Sequence, residues 1–176
     1  ILLKGQMILP EDCYAPLKTK SVGLFKHLQE LIQEPQDWQK HFGFDCIQIN
    51  PRWIDAEPAL LEVDNIYPIG RLGLLRIPPF TFYDWHVDAY RQACINMQIN
   101  LAHPSHTLFG YQADDHNKDV LELRYQPRTF YLFNNQIEHC VANLGGPRYV
   151  FSLYFQEEKH FELIKADLAE AGLISC

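Results

Sequence analysis

Residues 137–156 read IEHCVANLGGPRYVFSLYFQ, two strand-like runs on either side of the turn Gly145-Gly146-Pro147. The second run alternates: Arg148, Val150, Ser152 and Tyr154 fall on one face, and Tyr149, Phe151, Leu153 and Phe155 on the other. Successive side chains of a strand point to opposite sides of the sheet, so these are two different surfaces. One is wholly apolar and needs a cover. The other is mixed, as the lining of a polar pocket is.

Further runs of the same texture extend upstream. Strands are expected at 71–77, 83–88, 93–102, 107–112, 120–125, 129–133, 137–141 and 148–156. The separators are turn chemistry: Pro78-Pro79, His103-Pro104-Ser105, Asp114 to Lys118, Gln126-Pro127, Asn134-Asn135 and Gly145-Gly146-Pro147. Short strands with turns between them predict a mainly β protein with a double-sheet jelly roll, the cupin-like double-stranded β-helix. Covers for its apolar face are at hand. Phe25, Leu28 and Ile32 predict a helix over 21–34, with Ser21 as its N-cap and Pro35 as its stop. Phe161, Ile164 and Leu168 predict another over 157–171, stopped by Gly172. A short helix is expected at 35–41, and short strands at 46–49 and 60–63. No repeat or linker interrupts the pattern. The expectation is one domain, 1–176, with a wrapper at 1–65, a jelly-roll core at 66–156 and a C-terminal helix at 157–176.

The composition bounds the function. With 47% apolar residues the chain can bury a full core, and eleven Phe, nine Tyr and three Trp against two Met suit a β core rich in aromatics. A net charge of −7 and the lack of any Lys/Arg run argue against a general nucleic-acid binder. No apolar run approaches the length of a transmembrane helix. Ile1-Leu2-Leu3 is followed at once by Lys4 and Gly5, which is not the pattern of a signal peptide. The five cysteines (13, 46, 94, 140 and 176) form no C-x-x-C pair, which removes zinc ribbons and thioredoxin-like chemistry. Thiols of this kind are expected to be buried in a reducing cytoplasm, in a monomer or homodimer.

His86-Val87-Asp88 carries the chemistry, but not as a motif alone. Eight His and eleven Asp in 176 residues produce about half an H-x-D by chance. Position is what matters. In the strand order, His86 and Asp88 end the second strand, His139 lies on the seventh and Arg148 starts the eighth. Second and seventh strands are neighbours in a jelly roll, and residues at i and i+2 share a face. Two imidazoles and one carboxylate so placed hold Fe(II) from one side and leave the other open.

At these residues the chain resembles the 2-oxoglutarate- and Fe(II)-dependent oxygenases. The stretch 85–155 is most similar to the aspartyl/asparaginyl β-hydroxylase-like branch, which includes bacterial proline hydroxylases. The residues that carry the resemblance are His86-Val87-Asp88, the strand 95–100 (INMQIN) and Glu138-His139 with Asn143 leading to Arg148. It implies that His86, Asp88 and His139 ligate Fe(II) and that Arg148 pairs with the distal carboxylate of the co-substrate 2-oxoglutarate. Ser152 would add a hydroxyl to co-substrate binding. Asn96 and Gln98 stand where the branch tends to have basic co-substrate contacts, and are assigned there as amides. The activity implied is hydroxylation of an aliphatic C–H by O₂, on an amino acid, free or peptidyl. Asn143 is the expected second partner of the imidazoles.

Other readings stay open at this level. A metal-dependent cupin enzyme that does not use 2-oxoglutarate, including a zinc hydrolase, would have the same three ligands. A non-catalytic β-sandwich binding module, whose histidines are accidental and hold no metal, is the other alternative. Arg91 could meet an acidic substrate or be a solvated loop charge. Tyr83 and Trp85 could line the substrate entrance or fill core. His103, His106 and His116 are expected at the surface, and Asp114, Asp115 and Asp119 in an acidic turn.

Overall fold

The computed structural model describes residues 8–112 and 117–175. Helix α1 (Pro10–Cys13), strand β1 (Tyr14–Pro16), α2 (Leu24–Leu31), β2 (Gln39–His41), β3 (Phe44–Ile49), a 3₁₀ turn (Pro51–Ala56) and α3 (Pro58–Ile66) come first. Eight strands follow: β4 (Ile69–Ile77), β5 (Thr81–His86), β6 (Ala93–Gln98), β7 (Ser105–Gln112), β8 (Lys118–Leu123), β9 (Tyr131–Asn134), β10 (His139–Asn143) and β11 (Arg148–Phe155). Helix α4 (Phe161–Glu170) packs after them.

Two antiparallel sheets form, in the orders β1-β9-β6-β11-β4-β3-β2 and β5-β10-β7-β8. The eight strands expected from the turn pattern are β4 to β11, and consecutive strands repeatedly change sheet, as a double-stranded β-helix requires. β5 and β10, the second and seventh of the eight, are indeed neighbours.

The alternation along β11 does what its sequence demands. Phe151 and Leu153 join Leu72, Leu74, Ile95 and Met97 on the outer face of the larger sheet. Leu24 and Leu28 of α2, Leu60 and Val63 of α3, and Phe161, Ile164 and Leu168 of α4 cover them. Each such side chain contributes about 1.5–3 kcal/mol when fully buried. Gly172 ends the α4 segment at φ +76, the left-handed geometry of a helix C-cap. A second core of Cys94, Phe109, Leu123, Tyr131 and Phe133 joins the two sheets. The opposite face of β11 turns Arg148, Val150 and Tyr154 into a cavity between the sheets.

Three local expectations are corrected. Residues 60–63 lie in α3, not in a strand: Pro58 starts the helix, and Ala59, Leu60 and Val63 form its buried stripe. Three apolar residues in a run of four fit either period, and the preceding proline decides. Residues 39–41 pair with β3 instead of forming a helix, with Gln39 opposite Cys46 and His41 opposite Phe44. Helix α2 starts later than expected, with Gly23 at its N-cap. Ser21 still serves that end, since its Oγ accepts from Phe25 N at 2.9 Å. His116, Asp114 and Asp115 lie outside the described residues.

Candidate metal centre

β5 ends where β10 begins, and the register sets His86 directly opposite His139. Their rings lie 4.3 Å apart between centroids. His86 Nδ1 meets the backbone carbonyl of Asp84 at 2.7 Å, and His139 Nδ1 meets that of Ile137 at 2.8 Å. A carbonyl only accepts, so each Nδ1 carries the proton and each Nε2 keeps its lone pair free for a ligand. Phe133 and Phe109 flank the His139 ring at 5.0 and 6.1 Å. Its burial pushes the His139 pKa down to about 4, against the pull of the Ile137 carbonyl, so the ring is neutral at neutral pH.

Asp88 joins them from just beyond the end of β5, not from within it. Its position is not set by strand alternation: Asp88 N donates to Asn135 O at 3.1 Å, and the side chain is held from two directions. Oδ2 accepts from Arg91 Nε at 2.9 Å and from Asn135 Nδ2 at 2.8 Å. Oδ1 stands 3.5 Å from His86 Nε2 and 3.9 Å from His139 Nε2. Ligand atoms of the three residues lie within 4.8 Å of one another. This set of two imidazoles and one carboxylate suits a divalent metal with positions left open.

The set faces a cavity of about 360 Å³. Arg148 reaches the same cavity from the start of β11 and is 3% exposed. Nη1 donates to Ser105 Oγ at 3.0 Å and Nη2 to Thr107 Oγ1 at 2.6 Å, while Nε is buried with no partner. The guanidinium carbon also sits 5.5 Å from the Tyr125 ring centroid. Burial lowers the Arg148 pKa, with Tyr125 opposing the shift, yet an arginine stays charged. None of these contacts is a carboxylate, so the positive charge of Arg148 has no counter-charge among them.

No family model matches the chain, and no curated protein matches it. Solved structures do. A prolyl-4-hydroxylase from Pseudomonas putida superposes with a TM-score of 0.58 at 16% identity, over 86% of this chain and 89% of that one. A 2OG-Fe(II) oxygenase family oxidoreductase from Burkholderia pseudomallei gives 0.54 at 14%, over 74% and 76%. The non-heme α-ketoglutarate-dependent epimerase SnoN from nogalamycin biosynthesis gives 0.56 at 11%, over 82% and 76%. The chain has the fold of 2-oxoglutarate–Fe(II) oxygenases. The presence of an epimerase beside a hydroxylase shows that this fold serves more than one reaction.

On this frame the residues singled out from sequence separate. His86, Asp88, His139, Arg148 and Asn96 line one cavity. Ser152 and Gln98 are buried outside that lining. Ser152 Oγ accepts from Arg91 Nη1 at 3.1 Å, and Gln98 Nε2 donates to Asn100 O at 2.7 Å. Asn143 does not touch the imidazoles. Its Nδ2 donates to Pro78 O at 2.7 Å and to Gly146 O at 3.0 Å, fastening the turn that precedes Arg148. Tyr83 lines the cavity, with its ring 4.5 Å from His86. Trp85 packs on Lys118 instead, 4.4 Å from its Nζ. His103 packs over the same glycine turn: a Cβ on Gly146 would lie 2.5 Å from its Nε2. His106 pairs with Glu122 at 2.6 Å.

Sequence reasoning missed Asn135, Ser105 and Thr107. They are ordinary polar residues at turn and strand positions, and only the pairing of distant strands gives them partners. Arg91 had a signal, its place three residues after Asp88. The contact that employs it is internal.

Proposed function

We propose that the chain is an Fe(II)- and 2-oxoglutarate-dependent oxygenase that hydroxylates an aliphatic C–H of an amino acid or amino-acid side chain. One observation carries this reading: the buried Arg148 shares its cavity with the His86–Asp88–His139 set, and among the described residues no side-chain carboxylate hydrogen-bonds it. A planar guanidinium so placed suits the far carboxylate of a dicarboxylate whose other end binds the metal.

His86 Nε2, His139 Nε2 and Asp88 Oδ1 would hold Fe(II). Bound there, iron supplies the activation of O₂ coupled to oxidative decarboxylation of 2-oxoglutarate to succinate. The protein's own residues bind, orient and exclude water. Arg148 receives the distal carboxylate, its fork preset by Ser105 and Thr107. Asn96, 9% exposed, offers an amide to the same cavity. Leu75, Ile77, Val141 and Val150 keep the remaining wall apolar. Phe42 and Tyr90, 88% and 93% exposed, stand at its margin. Such a lining favours an aliphatic group over a charged one.

The test is 2-oxoglutarate-dependent succinate release by the Fe(II)-loaded protein. Release is expected from the wild type and not from His139→Ala. Metal uptake with no consumption of 2-oxoglutarate would remove the reading.

A further inference from the structure

Arg91 brings a second guanidinium to this cavity, partly buried with its side chain 17% exposed. Its Nε and Nη2 both reach Asp88 Oδ2, at 2.9 and 2.8 Å, and Asn135 Nδ2 adds a third donor at 2.8 Å. Arg91 is itself held: Nη1 donates to Ser152 Oγ at 3.1 Å, and Tyr154 stacks 4.5 Å from its guanidinium carbon. The loop carrying both residues is fastened by Gln136, whose Nε2 donates to Asp88 O and Arg91 O at 3.0 Å each. So the two carboxylate oxygens of Asp88 are unequal. Oδ2 is saturated by donors, and Oδ1 faces the imidazole Nε2 atoms.

We infer that Arg91 is a positioning residue that confines Asp88 to one-oxygen coordination and so preserves an open position on the bound metal. The inference rests on the oxygenase reading above. A carboxylate with both oxygens free can take a cation with either one or both. Here Oδ2 can join only by giving up charge-assisted hydrogen bonds, which are roughly twice as strong as neutral ones. Three protein atoms leave a six-coordinate ion three positions, enough for a two-point chelate by a 2-oxo acid and one further ligand. A two-oxygen Asp88 would leave no position after that chelate.

The charge acts in the same direction. Arg91 neutralises Asp88, so the loaded site presents more net positive charge to a dianionic co-substrate. Removing Arg91 therefore gives the metal an extra ligand atom and takes away a neighbouring like charge. The 2-oxo acid loses a position and an attraction. Metal and co-substrate affinities should move in opposite directions, which a merely structural arginine cannot produce.

The experiment uses the full chain, with Co(II) as the probe in the absence of O₂. Co(II) affinity, the Co(II) visible spectrum and 2-oxoglutarate affinity of the loaded protein are each measured. Arg91→Gln is expected to bind Co(II) at least as tightly as the wild type, with altered visible bands. Its 2-oxoglutarate affinity should be at least about tenfold weaker, one decade being the smallest step clearly read as a free-energy difference. Arg91→Lys should recover part of that loss, and Asn135→Ala should shift both affinities the same way by less. An unchanged spectrum and unchanged 2-oxoglutarate affinity in Arg91→Gln would overturn the inference, as would a joint weakening of both ligands. If Arg91→Gln does not fold, Arg91→Lys and Asn135→Ala decide, and no opposite-signed shift in them overturns it. A wild type that takes up Co(II) but not 2-oxoglutarate would instead overturn the oxygenase reading itself.

Discussion

A guanidinium taken out of water costs several kcal/mol unless something answers its charge. Arg148 is 3% exposed and meets the hydroxyls of Ser105 and Thr107 and the side chain of Tyr125. That imbalance supports the proposed role of Arg148 in holding the co-substrate. Arg148→Ala is expected to weaken 2-oxoglutarate binding by about 30- to 1000-fold, the equivalent of about 2–4 kcal/mol for a buried charge contact. Co(II) affinity should stay within about twofold of the wild type, since Arg148 touches none of the three metal-facing residues. Titration of the Co(II)-loaded protein with 2-oxoglutarate checks both, and an unaltered co-substrate affinity would end this assignment. His86, His139 and Arg148 could be read from sequence because strand order brings them near each other, and Asp88 because it follows His86 by two residues. The carbonyls of Asp84 and Ile137 that set the two tautomers could not. Backbone acceptors have no sequence signature.

Helix α2 shows how an element can depend on a residue far from it in sequence. Its first amides point at Glu57, which is fully buried and precedes α3. Glu57 Oε1 accepts from Ser21 Oγ at 2.9 Å and from Gly23 N at 2.7 Å, and both of its oxygens accept from Val22 N. Leu24 N donates to Oε1 as well. One carboxylate thus serves the N-terminus of a helix that covers the larger sheet, where negative charge is favoured. Glu57→Ala leaves these buried donors unanswered and is expected to cost about 2–4 kcal/mol, from the penalty of unsatisfied buried groups. Urea unfolding measures it; a loss below 1 kcal/mol would mean that water replaces the carboxylate. The periodicity of 21–34 showed this helix, and Ser21 showed roughly where it starts. Nothing in the local sequence pointed to Glu57. The misreadings of 39–41 and 60–63 have the same origin, because a short segment takes the structure that its tertiary neighbours complete.

At the scale of the whole molecule, the metal should act as a clamp between the ends of β5 and β10. A ligand at 100 times its Kd adds about 2.7 kcal/mol to the stability of a folded state that alone binds it. For a chain of this size that corresponds to a rise in Tm of roughly 5–10 °C. Co(II) at such excess is expected to raise the Tm of the wild type by this amount and that of the double variant His86→Ala, His139→Ala by less than about 2 °C, on the same scale. A wild-type Tm that ignores Co(II) would show that the three residues do not form a metal site. The sequence by itself determined the eight-strand order, the two faces of β11, the helices that cover one of them, and the three residues, His86, His139 and Arg148, that strand order brings together. Turn residues and alternation suffice for that, because they act over a few neighbouring positions. Only the tertiary structure decided that Oδ1 and not Oδ2 of Asp88 is free, that Arg148 lacks a carboxylate, and that Ser152 and Gln98 stand back from the cavity. Those facts depend on which distant polar groups meet, and a chain specifies such meetings only once its strands have paired.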